Sequence, residues 1–145
     1  SFASAHAGCA HYDVTEMPYG SQVLWPDHCI QGTQGAAFYS SLKTERADII
    51  VRKGFRPDIH SYSAFFENDH KTPTGLEGYL RTRGISQLLM VGLATDFCVC
   101  FSAVDAARLG FHVTVRMDLC RAIDLDGSLK AARDGMTAAG VILEA

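Results

Sequence analysis

Hydrophobic side chains change their period along this chain, and the changes mark its elements. Leu88-Leu89-Met90-Val91 is a continuous apolar run between Gly84 and Gly92, which predicts a short buried strand. Beyond it, small and apolar residues stand at 99, 103, 106 and 107 before Gly110, the spacing of one helical face closed by a glycine. The stretch 88–110 therefore predicts a strand turning sharply into a helix, with Cys98 in the first helical turn.

The same periods continue on either side. Phe111–Met117 predicts a strand, followed by a loop holding Asp118 and Cys120, a helix from about Asp126 to Ala139 and a last strand at Val141–Leu143. Upstream, Leu76, Tyr79 and Leu80 recur at helical spacing between Gly75 and Gly84, and Ala47–Gly54 predicts a strand ending at its glycine. A brief helical segment is expected at Ala36–Leu42. Residues 1–37 show no clear period; their glycines, prolines and histidines suit a long ordered loop, and Phe2, Tyr12, Tyr19 and Trp25 argue against disorder. Residues 55–75 read as a second loop, carrying Tyr62, Phe65 and Phe66.

From residue 47 the order is thus strand, helix, strand, helix, strand, helix, strand. Strands joined by helices pair in parallel with right-handed crossovers, so the expected fold is α/β, a three-layer α/β/α arrangement around a mainly parallel sheet. Such sheets hold their sites outside the carboxyl ends of the strands. Lys53 and the segment Leu93–Cys98 both fall at such ends.

Composition narrows the function classes. The 145 residues fit a single domain spanning 1–145 with a sizeable core, and 48% hydrophobic with 20% charged residues is the composition of a soluble globular protein. A net charge of −3 leaves no basic footprint, so neither nucleic acid nor an anionic membrane is expected as a partner. No apolar run approaches the roughly 18 residues of a membrane span. An odd count of five cysteines argues for a reducing compartment, and cytoplasm is the expected location.

The candidate chemistry centres on Cys98. A thiol at the start of a helix lies beside unpaired N–H groups and the positive end of the helix dipole, which favour thiolate and can hold a developing oxyanion. The competing role, a small buried hydrophobe, is the commoner one for an arbitrary cysteine. Lys53, taken alone, is a surface residue closing a strand, but beside a cysteine its ammonium would stabilise the thiolate. His28 in Trp25-Pro26-Asp27-His28-Cys29 could ligate a metal, yet no second ligand follows at a diagnostic spacing, and His6 and His11 have none either. Cys98-Val99-Cys100 is not a redox pair, because residues two apart on a helix point away from each other. The glycines form no phosphate-binding pattern.

Val91–Val99, Lys53-Gly54 and Trp25–Cys29 together resemble the nicotinamidase/pyrazinamidase branch of the isochorismatase-like cysteine hydrolases. The likeness extends to Ser1–Ser4, to Asp58–Phe66 and to Asp118–Arg121, in the right order over essentially the whole chain. It implies amidohydrolysis: a thiolate attacks the carboxamide carbon of nicotinamide, ammonia leaves, and water releases nicotinate from the thioester, within NAD salvage. It assigns Cys98 as nucleophile and Lys53 as its electrostatic partner. The N–H groups of Ala94 and Cys98 would form the oxyanion hole, with a cis peptide between Leu93 and Ala94. Trp25 and Tyr62 resemble the walls of a pyridine pocket, to which Leu93 and Phe97 also belong, and His28 resembles one ligand of a divalent metal, zinc, iron or manganese.

The family's first-strand aspartate, its Asp-x-His pair and a further histidine have no counterpart here. The chain is therefore expected to lack the first strands and helix of the domain, with most metal ligands upstream of Ser1. Taken as a complete polypeptide, it is expected to bind metal weakly and to show little amidase activity. A related cysteine hydrolase acting on another amide or carbamoyl group is the nearest alternative, and a catalytically silent or redox-sensing domain is a more distant one. The expected partner is nicotinamide, with pyrazinamide as a second substrate; a homo-oligomer is left open.

Overall fold

The computed structural model describes residues 2–145; Ser1, the first residue of the Ser1–Ser4 match, lies outside the described residues. The chain divides into two compact units, one ending at His60 and the other running from Ser61 to Ala145.

In the first unit, the long ordered loop expected over residues 1–37 contains, among the described residues, a short antiparallel hairpin. Strands β1 (Val14–Met17) and β2 (Gly20–Val23) pair antiparallel, with Val14 opposite Val23 and Met17 opposite Gly20. Pro18 and Tyr19 make the turn, and Gly20 closes it at φ +120°, a conformation costly for any residue with a Cβ. The chain then buries Leu24 and Trp25. Backbone bonds fix them in place: Tyr12 N–H to Leu24 O at 2.6 Å, Leu24 N–H to Asp13 O at 2.8 Å and Ala3 N–H to Trp25 O at 2.9 Å.

Two expectations fail here. The helix expected over Ala36–Leu42 is replaced by short 3-10 turns at Gln34–Ala36 and Thr44–Arg46. A seven-residue segment cannot offset the cost of helix nucleation without an amphipathic face to bury. The strand expected over Ala47–Gly54 has no regular structure and no ladder among the described residues, and Ile49 and Ile50 are exposed. A β-propensity favours an extended backbone; a strand also needs a neighbour for its N–H and C=O groups.

The second unit is the layered part. Helix α1 (Leu76–Thr82) starts after Gly75 at φ +95° and buries Leu80. Strands β3 (Gln87–Leu93), β4 (His112–Arg121) and β5 (Ile142–Glu144) form a parallel sheet in that order, connected by α2 (Cys100–Arg108) and α3 (Ser128–Ala138). The core is built where these meet: Val113 and Val115 from the central strand, Ala103 and Ala106 from α2, Met136 from α3, with Phe65 and Phe111. Ala at 103 and 106 lets α2 approach the sheet closely, and each buried Val, Met or Phe contributes about 1.5–3 kcal/mol.

Two predicted features of the sheet need correction. β3 is not buried throughout: Leu89, Val91 and Leu93 are 65%, 52% and 71% exposed. Its side chains alternate between the two faces of the sheet, and those of one face are exposed although the sequence there is continuously apolar. β4 does not stop at Met117 but runs through Asp118 and Cys120 to Arg121. The ladder pairs Met90 with Val115 and then Gly92 with Cys120, so Arg116–Leu119 form an excursion opposite Val91. Arg116 holds it, donating from Nε and Nη2 to the two Asp118 carboxylate oxygens at 2.9 Å each. Gly92, at φ +126°, returns β3 to register.

Candidate active site

Beyond β3 the Leu93–Ala94 peptide bond is cis, Ala94 is extended, and Thr95–Val99 form a single π-turn before α2 begins at Cys100. Cys98 therefore lies in the π-turn ahead of the helix and not in its first α-turn. Ala94 O accepts from Phe97 N–H at 3.2 Å and from Val99 N–H at 3.0 Å, so one carbonyl draws the wide turn together. Thr95, Asp96 and Val99 point inward, while Phe97 and Cys98 are half-buried. Interrupted helical turns of this kind are frequent at functional sites.

Asp96 anchors the turn from below. Its carboxylate accepts from Ile123 N–H at 3.1 Å, Asp124 N–H at 2.7 Å and Ser128 Oγ–H at 2.6 Å, tying the turn to the chain that leads into α3. Burial opposes its charge, but these donors hold the carboxyl below its ordinary range. Cys100, two residues past Cys98, lies on the opposite side of that chemistry: burial first, and the Asp96 carboxylate second, push its thiol up to about 11. Cys100 is a buried S–H packed 3.7 Å from Ala132 O, the structural kind of cysteine.

An aromatic wall stands beside the turn. Ser61, Tyr62 and Ser63 are buried, and Tyr62 N–H donates to Asn68 Oδ1 at 2.9 Å. The loop that presents Asn68 is shaped by Asp69, which accepts from Lys71 N–H and Thr72 N–H at 3.0 and 2.9 Å; these bonds lower its carboxyl to about 2. The Tyr62 ring lies 5.7 Å from Phe97 and 5.0 Å from Phe101, both tilted contacts. Ala64 N–H donates to Ser102 Oγ at 2.9 Å, and Ser102 Oγ–H donates to Cys98 O at 2.6 Å. A mainly apolar cavity of about 400 Å³ reaches Cys98 and Ser102; its walls are Leu76 and Leu80 of α1, Leu88–Val91 and Leu93 of β3, with Ala64 and Phe65.

The first unit carries the remaining predicted residues. Trp25 is buried, 5.9 Å from the Tyr12 ring and 6.5 Å from the His28 ring. His28 is exposed, and its Nδ1 lies 2.6 Å from Pro26 O. Lys53 is half-buried on chain without regular structure and so ends no strand. Burial, with the positive charges of Lys53 and His28 adding to it, pushes His60 down to about 3, so this imidazole is neutral near pH 7. Among the described residues no three His, Cys, Asp or Glu side chains converge as a metal would require.

Cys98, Ala94, Leu93, Phe97 and Tyr62 are thus brought together in the second unit, while Trp25, His28 and Lys53 belong to the first. Sequence reasoning missed Asp96, Ser102 and His60. Ser102 carried a usable signal, since it stands four residues after Cys98, where a helical hydroxyl reaches back to a carbonyl. The partners of Asp96 are some 30 residues away, at Ile123, Asp124 and Ser128, and left no local trace.

Known proteins share this architecture. A family model described as the isochorismatase domain matches residues 7–145. The nicotinamidase of Acinetobacter baylyi is 52% identical over 141 residues, which are 97% of this chain and 66% of that protein. The chain thus spans about two thirds of that relative's length. A solved structure titled Acinetobacter baumanii nicotinamidase pyrazinamidease superposes with a TM-score of 0.97 at 51% identity, covering 99% of this chain and 70% of that one. The pyrazinamidase of Pyrococcus horikoshii in complex with zinc superposes with a TM-score of 0.68 at 30% identity, over 82% of this chain and 62% of that one.

Proposed function

Because this chain belongs to the isochorismatase domain family, we propose that it carries the nucleophile-bearing part of a nicotinamidase, an amidohydrolase that converts nicotinamide to nicotinate and ammonia. The observation that carries the proposal is the half-buried Cys98 in a π-turn at the carboxyl end of a parallel strand, where it lines an apolar cavity of about 400 Å³.

In this mechanism the Cys98 thiolate adds to the carboxamide carbon, and the C=O electron pair moves onto oxygen. The N–H groups of Ala94 and Cys98 hold that oxyanion; each such donor is worth about 3–4 kcal/mol in the transition state. As the tetrahedral adduct collapses, the proton that left the Cys98 thiol, carried by solvent, passes to the departing nitrogen and the C–N bond breaks, giving ammonia and a thioester. Water then adds to the thioester and nicotinate leaves, restoring the thiol. The Lys53 ammonium favours the thiolate over the thiol. Tyr62, Phe97, Leu93 and Trp25 take the flat pyridine ring, for which aromatic side chains give area and orientation. On the same reading pyrazinamide, with a similar flat ring and the same carboxamide, is the second substrate, NAD salvage is the setting that a nicotinate product suits, and the cytoplasm is the proposed location. Residues 1–145 would then act as one domain.

A divalent metal on the ring nitrogen would supply a fixed positive charge that orients and polarises the substrate. His28 has one feature of such a ligand: Nδ1 engaged on a backbone carbonyl leaves Nε2 outward. The described residues hold this one ligand and not a set, so no step is routed through the metal.

The test is ammonia release from nicotinamide by the wild type and by Cys98→Ala. Wild-type turnover that falls to background in the variant is expected. Turnover that survives the substitution rules out the thioester.

A further inference from the structure

The contact that distinguishes the surroundings of Cys98 is made by Ser102, a residue that plays no part in the chemistry proposed above. A serine within a helix commonly returns its hydroxyl to the carbonyl four residues earlier, and Ser102 does so on Cys98 O at 2.6 Å. Ser102 Oγ in turn accepts from Ala64 N–H at 2.9 Å, from a segment 38 residues away in sequence. One hydroxyl thus joins the nucleophile's own peptide unit to the segment that carries Tyr62, and Ser102 is 8% exposed, so water competes little for either bond. Ala64 is gripped on its other side by Thr74, whose Oγ1–H donates to Ala64 O at 2.6 Å. The wall is therefore tied at Ala64 through the Ser102 hydroxyl, in addition to the ring contacts of Tyr62 with Phe97 and Phe101.

We infer that Ser102 is a positioning residue that fixes the distance between the aromatic wall and the Cys98 sulfur, and so the register of a flat ring against the attacking atom. The inference rests on Cys98 being the nucleophile. Its chemical requirement is a hydroxyl, which donates and accepts at once; neither an alkyl group nor a lone acceptor can replace it. Reaction rates respond steeply to such placement, a misplacement of about 1 Å costing up to about a hundredfold.

Two isosteric substitutions separate hydroxyl from volume. Ser102→Thr keeps the hydroxyl and Ser102→Val loses it, and both add methyl groups at the wall of a cavity with room for them. Two readouts apply: kcat/KM for nicotinamide, and the ratio of alkylation rates at Cys98 for N-benzyl iodoacetamide against iodoacetamide, followed by mass spectrometry of the Cys98 peptide. Ser102→Thr is expected within about threefold of wild type in both. Ser102→Val is expected to lower kcat/KM by about 10–100-fold and to erase the advantage of the benzyl reagent, with the iodoacetamide rate itself changed less than about twofold. Equal loss in Ser102→Thr and Ser102→Val would assign the effect to volume and overturn the inference. So would an unchanged reagent ratio in Ser102→Val. Should Ser102→Val fail to fold, Ser102→Ala gives the same readouts with a smaller side chain. A wild type that releases no ammonia sinks the nicotinamidase proposal alone, because the reagent ratio still decides the role of Ser102.

Discussion

The two units of this chain are made from the same kinds of residues and are held in different ways. From Ser61 onward, the apolar side chains of β4, α2 and α3 converge, and Val115, Ala103, Ala106 and Met136 lose all contact with water. Up to His60, one hairpin and three short 3-10 turns are joined by chain without regular structure, and Ile30, Phe38, Tyr39, Ile49 and Ile50 remain exposed. Hydrophobic content alone does not produce a layer. A ladder partner or a helical face has to place apolar groups on one side, and only the second unit repeats that pairing along its length.

The largest test of this contrast is stability. Met136→Ala empties a fully buried site in the second unit and is expected to cost about 3–4 kcal/mol, read as a lower urea midpoint. Next comes Lys53→Ala, in the first unit, where chain without regular structure offers little packing to lose. On the proposed mechanism it lowers kcat/KM by about a hundredfold, about 2.7 kcal/mol, with an unchanged urea midpoint. A large stability loss there would show that the first unit is held by more than local turns.

Asp96→Ala follows, at about 2 kcal/mol, because three donors lose a charged acceptor. Its folded carboxyl titrates below the ordinary range, so the stabilisation is present above the unfolded pKa of about 4 and is lost as pH falls through the lower folded value. Wild type and variant should converge in stability on acidification, and a gap constant in pH would deny the carboxylate its part. The smallest effect belongs to Ile50→Ala, about half exposed at 51%, which should change stability by less than about 0.5 kcal/mol.

How much the sequence disclosed follows the same division. α1, β3, α3 and β5 were legible because apolar spacing and glycines mark them locally, as was the strand-to-helix turn that carries Cys98. The hairpin at Val14–Val23 leaves no periodic signal, because Val14-Thr15-Glu16-Met17 and Gly20-Ser21-Gln22-Val23 do not alternate apolar with polar residues. Ala47–Gly54 was misread as a strand since its β-branched residues announce extension and say nothing about a neighbour. At the site, Cys98, Ala94 and Phe97 are contiguous and could be found together. Asp96 acts through partners distant in sequence, as does Ser102 in its bond to Ala64, and no local pattern encodes those; only the Ser102 bond back to Cys98 O is local.

The excursion of Arg116–Leu119 opposite Val91 has a bearing on how this protein can vary. Since pairing resumes at Cys120, residues added to or removed from that stretch would be absorbed at the surface, and the frame that delivers Leu93 to the turn would stay in phase. It works as an expansion joint: chain length can drift there across generations without moving the sulfur.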